Sequence, residues 1–118
     1  MSKGMSMEVV CRFSFEGTHC WPNVTDHEHL REVFYLQHKH RHMFHVEARA
    51  AVEEHDREIE IIALRRDLLE WVDTLFPQGD LGTMSCEHFA EAMLNRFTEL
   101  TQVTVLEDNE NGATATRR

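Results

Sequence analysis

From His40 to Val52 the chain alternates with period two. His40, His42, Phe44, Val46, Ala48 and Ala50 fall on one side, and Arg41, Met43, His45, Glu47 and Arg49 on the other. Helical faces repeat every 3.6 residues, whereas successive side chains of a strand point to opposite faces of a sheet. The segment is therefore a strand with one apolar face, and that face begins with two histidines.

The rest of the chain reads around this strand. Residues 8–15 also alternate, with Val9, Cys11, Phe13 and Phe15 on one side, and predict an earlier strand. Residues 17–26 hold Gly, Pro, Asn and Asp and read as loop. Residues 26–37 are polar and fit no single element. Residues 52–57 form a charged turn, and 58–62 read as a continuation of strand. Leu64, Leu68, Trp71 or Val72, and Leu75 make an apolar stripe that predicts a helix over 63–76, stopped by Pro77 and Gly79. Ser85 is a candidate N-cap for a second helix ending near residue 97, with Phe89, Met93, Leu94 and Phe97 inward. Residues 101–106 are β-branched and strand-like. Asn109, Asn111 and Gly112 signal a turn, and 113–117 supply a short partner strand. The order is ββααββ, an α+β arrangement with a four-stranded antiparallel sheet and two helices on one face. The expected organisation is one domain over residues 1–118, with a short flexible N-terminus at about 1–6.

Composition bounds what such a domain does. The 118 residues carry a formal net charge of −9, which disfavours nucleic acid as a partner, because that affinity comes from neutralising phosphates with Lys and Arg. No run of apolar residues approaches a membrane span, and the N-terminus lacks the apolar core of a signal peptide. The three cysteines, Cys11, Cys20 and Cys86, show no CxxC spacing and read as reduced thiols. Together these point to a cytoplasmic protein.

The nine histidines are the anomaly. His38, His40 and His42 recur every second residue, so on a strand they share a face. Two imidazoles so spaced can hold one zinc ion, and a third ligand must come from elsewhere. His19 is the best candidate, because it ends the first strand beside the start of the second. The bland alternative is a solvated strand end whose histidines pick up metal only adventitiously.

Several stretches also resemble the 6-pyruvoyltetrahydropterin synthase and 6-carboxytetrahydropterin synthase family. Phe13-Ser14-Phe15-Glu16-Gly17-Thr18-His19 is similar to its F-x-F-x-A-x-H strand, and His40-Arg41-His42 to its H-G-H strand. Met84-Ser85-Cys86-Glu87-His88-Phe89-Ala90 resembles its P-T-S-E-N-L-A helix start, and Val103-Thr104-Val105-Leu106-Glu107-Asp108 its last conserved strand. The four come in the family's order and cover nearly the whole chain.

The resemblance implies the tunnelling fold and a homo-oligomer, trimer or hexamer, with sites at subunit interfaces. It implies Zn(2+) on His19, His40 and His42. It makes Glu107 the anchor of a pterin ring and not a metal ligand, with Ser85 and Cys86 beside that ring. The implied activity is a zinc-dependent carbon–oxygen lyase of the 6-carboxytetrahydropterin synthase type, acting on dihydroneopterin triphosphate or a related pterin, on the route to deazapurines such as queuosine.

The chain also departs from the pattern. Leu36 stands where the family has its catalytic Cys, and Thr74 where it has the proton-relaying His; Asp73 matches the Asp before that His. Arg41 replaces the Gly between the zinc histidines. Proton transfer still needs a group titrating near the working pH. His38, Glu32, Cys20 and Cys86 are candidates to replace the lost thiol. In an extended chain Cys20 would point away from the metal, and Cys86 near a helix N-terminus would favour thiolate. The other reading is a catalytically weakened binding module.

Overall fold

A computed structural model of the protein describes residues 4–118. Residues 1–3 of the expected flexible N-terminus lie outside the described residues.

The sheet is antiparallel with strand order β1-β2-β3-β4, formed by β1 (Met7–His19), β2 (His40–Val52), β3 (Gln102–Glu107) and β4 (Asn111–Thr116). Helices α1 (Ile61–Leu75) and α2 (Cys86–Arg96) come between β2 and β3. The alternation of β2 holds without a break: Phe44, Val46, Ala48 and Ala50 are buried, and the residues between them are not. Their face meets Cys11 and Phe13 of β1, Val103 and Val105 of β3, and the buried stripes of both helices in one hydrophobic cluster. The other face carries charge, as in the Arg12–Glu47 pair at 2.8 Å.

Phe89 sits at the centre of this cluster. It is fully buried, stacks on Phe15 and Phe76 with centroids 5.6 Å away, and meets the edge of Trp71 at 5.8 Å. Ser85 is the N-cap of α2, as its sequence position suggests: its Oγ accepts the His88 N–H at 3.1 Å.

Several boundaries differ from the sequence reading. Residues 17–19 are strand rather than loop, because Gly17, Thr18 and His19 pair with His42, Arg41 and His40. A side chain at Gly17 would run into the Phe44 ring, at 2.9 Å from its Cβ, so glycine suits the strand there. Residues 58–62 are not strand. Glu60 caps α1 instead, its carboxylate accepting the N–H groups of Ile62 and Ala63. Leu75 is 49% exposed, and Phe76 takes the inward place expected of it. Residues 22–26, within the expected loop, and 28–37 form 3-10 segments (Pro22–Asp26 and Glu28–Gln37). Asn111 and Gly112 belong to β4, and the turn before it rests on Asp108 and Asn109, both at positive φ, a conformation these two side chains tolerate.

The segment after α1 is fastened to the end of β1. Gly79 has φ +75° and lies so close to β1 that an added Cβ would fall 2.3 Å from the Glu16 carbonyl oxygen. Leu81 N–H donates to the Thr18 carbonyl at 2.8 Å, and Cys20 N–H to the Gly82 carbonyl at 2.9 Å. This lacing lays residues 80–85 beside His19. No helix is long and apolar enough to cross a membrane among the described residues.

Candidate metal centre

His19 closes β1, His40 opens β2, and the register pairs them directly across the hairpin. His42 follows two residues later on the same face. The ring centroids are 4.6 Å apart for His19 and His40, 4.9 Å for His40 and His42, and 5.4 Å for His19 and His42. One ring nitrogen from each of the three lies within 4.8 Å of the others. Strand pairing thus brings together the three histidines singled out in the sequence.

Each ring is held from behind at Nδ1. His19 Nδ1 is 2.8 Å from the Met84 carbonyl, His40 Nδ1 is 2.9 Å from the His38 carbonyl, and His42 Nδ1 is 2.7 Å from Asp108 Oδ2. All three partners are acceptors, so each Nδ1 donates. In the neutral imidazole the lone pair then belongs to Nε2. This is the arrangement by which protein metal sites orient their histidines. Asp108 is itself fixed, since its Oδ1 accepts the Met43 N–H at 3.0 Å. The hydrogen bond from His42 and then that from Met43 hold its carboxyl below the usual aspartate range.

The donor set fits a metal ion. His42 Nε2 is buried and has no hydrogen-bond partner, although buried polar atoms are almost always paired. Three imidazoles with neutral ring nitrogens are ligands zinc accepts. His19, His40 and His42 would hold the ion.

Beside the cluster opens a cavity of about 640 Å³. Its wall includes His19, His40, Ser85, Cys86 and Glu107, so the residues expected around a ring share it with two of the three histidines. Glu107 comes closer than expected. Its Oε2 is 3.1 Å from His19 Nε2, and its Oε1 is 3.5 Å from His42 Nε2. Cys86 donates its thiol to Glu107 Oε2 at 3.7 Å. The expectation of a favoured thiolate at Cys86 does not hold. Burial, followed by the neighbouring Glu107 carboxylate, pushes its pKa up to about 12.

Three suggested catalytic residues are not brought to the cluster. His38 precedes β2 and is exposed; it contributes its backbone carbonyl to His40 and does not line the cavity with its ring. Glu32 is exposed on the second 3-10 segment. Asp73 is exposed on α1 and lines a separate groove with Arg12 and Ile62. Cys20 does the reverse: it lies just past the end of β1, so strand alternation no longer applies, and it lines the cavity. Leu36, in place of the family's thiol, and His88 also face the cavity. The tethers Met84 and Asp108 were invisible to sequence reasoning. A carbonyl carries no residue signature, and in the sequence Asp108 stands only as the last residue of the Val103–Asp108 strand-like stretch.

In sequence, no family model and no curated protein matches this chain. In structure, it is similar to Caenorhabditis elegans 6-pyruvoyl tetrahydropterin synthase, with TM-score 0.68 and 15% identity over 100% of both chains. It is also similar to an uncharacterized protein from Wolinella succinogenes, with TM-score 0.65 and 12% identity over 98% of this chain and 100% of that one. At such identity the likeness speaks for architecture: the chain has the α+β tunnelling fold.

Proposed function

We propose that this protein is a zinc-binding member of the tunnelling-fold group that takes a pterin or a related heterocycle, in the manner of a 6-carboxytetrahydropterin synthase acting on dihydroneopterin triphosphate or a relative. The observation that carries the reading is the convergence of three Nδ1-tethered imidazoles, two of which, His19 and His40, stand in the wall of a cavity that also holds Glu107. His19, His40 and His42 hold the ion. Zinc supplies Lewis-acid stabilisation of negative charge developing on the substrate side chain. Glu107 accepts adjacent N–H donors of the ring through both oxygens, a charge-assisted contact. Ser85 and Cys86 shape the wall beside it.

Replacing Glu107 by Gln keeps the shape and exchanges one acceptor for a donor. Ring binding weakens by about 1–3 kcal/mol, the cost of leaving a buried polar group without its partner. Calorimetry with neopterin or sepiapterin reads this. No heat of binding in the wild type, or equal affinity in the variant, would refute the pterin reading.

A second reading, binding without turnover, is favoured by Leu36. It presents an aliphatic side chain to the cavity where the family resemblance calls for a thiol. Beyond His19, His40 and Glu107, the titratable groups on the wall are Cys20, Glu87, His88 and the poorly acidic Cys86. Assay for lyase turnover separates the two readings.

The subunit is proposed to assemble with copies of itself. Among the described residues, the outer edges of β1, 13 residues long and bridged at Thr18 by Asp80, and of β4 have no partner strand, and open edges of that length seek pairing. Light scattering at micromolar concentration is expected to report a trimer or hexamer; a monomer would count against assembly.

A further inference from the structure

Glu107 has one role in the proposal above, and its position supports a second. Its carboxylate spans the His19–His42 edge of the cluster, with one oxygen 3.1 Å from His19 Nε2 and the other 3.5 Å from His42 Nε2. Atoms that share a tetrahedral zinc at about 2.0–2.1 Å lie roughly 3.3 Å from one another. The two distances bracket that spacing. In the neutral rings, with Nδ1 donating to Met84 and Asp108, both Nε2 atoms carry lone pairs, so a carboxylate sits against them only through a cation or a proton between. His42 Nε2, buried without a partner, marks the same spot. The remaining contact of the carboxylate is the Cys86 thiol, which donates to Oε2 and holds it in place.

We infer that Glu107 is a fourth ligand of the metal held by His19, His40 and His42, and that a ring with adjacent N–H donors takes the carboxylate away from the metal. Centres with four protein ligands are closed, whereas catalytic ones keep a position free. Glu107 then links the two halves of the site: the same carboxylate that recognises a ring is the one whose departure opens the centre. This rests on the metal half of the proposed function and not on the identity of the ring.

The test uses cobalt(II) in exchange for the native metal in the full-length chain, with no pterin present. Visible absorption reads the ligand set. Glu107→Ala is expected to change the cobalt spectrum and to weaken cobalt binding by about tenfold or more, since even groups behind a ligand contribute that much. Added acetate should return the spectrum of the Ala variant toward that of the wild type and leave the wild type unchanged. Glu107→Gln, which keeps the shape of the side chain, is the second variant and should also alter the spectrum. Identical spectra and affinities in wild type and Glu107→Ala would overturn the inference while leaving the three-histidine centre standing. Failure of the wild type to bind one cobalt per chain would overturn both.

Discussion

Zinc in the purified protein is expected to fall from near one per chain to near none in the His40→Ala, His42→Ala double variant. Strand pairing delivers three ring nitrogens within 4.8 Å of one another, and the substitution removes two. His19 and Glu107 alone are too few ligands for an ion that normally takes four. Asp108→Ala is a graded companion. It leaves all three imidazoles but frees the back of His42, and loss of such a partner costs about 10–100-fold in metal affinity. Both variants should stay folded, because the histidines lie at the end of the sheet and the apolar cluster excludes them. Elemental analysis and circular dichroism check the two halves. Near-stoichiometric zinc in the double variant would remove the assignment.

Phe89→Ala is expected to cost about 3–5 kcal/mol of stability, the range for emptying a buried aromatic site. The ring has no exposed surface and touches three other aromatic side chains from β1, α1 and the segment behind α1. Those neighbours belong to different elements, so they cannot all close on the space left behind. For a chain of this size the loss corresponds to a fall in Tm of about 10–20 °C. Urea unfolding measures it; a cost below about 1 kcal/mol would mean that the aromatic cluster is not the keystone of the core. Because α2 also carries Cys86 into the cavity wall, ring binding should decline with stability.

How much of this was legible beforehand follows from what each residue encodes. The β2 strand was plain from alternation alone, since thirteen residues obey one period without exception. The α2 start was plain because Ser85 is a cap by chemistry. The end of β1 was not, because Gly17 and Thr18 are loop-like letters made strand by pairing with β2. The same pairing justified His19 as the third histidine. Residues 58–62 misled because Ile59, Ile61 and Ile62 favour strands locally, while the Glu60 carboxylate starts a helix there. His38 kept the two-residue spacing but lies before the strand begins, so the rule that placed His40 and His42 does not reach it. Asp73 matched a motif, yet on α1 it faces a different groove of the subunit. The thiol of Cys86 answers to burial and to Glu107, and neither is visible in a run of letters.

The tethers behind the histidines bear on the order in which the chain becomes itself. His19, His40 and His42 all lie in the first hairpin, which early local pairing can form. Two of the acceptors that aim them come from Met84 and Asp108, 65 and 66 residues from their partners. Contacts of such sequence separation form late, after the loop between them has been closed. A nascent chain that ends before residue 108 therefore carries every imidazole of the candidate centre and lacks the support that points one of them. Tight capture of a metal by these histidines would then be a property of the finished fold, arriving with the last β-turn and withheld from the partly made protein.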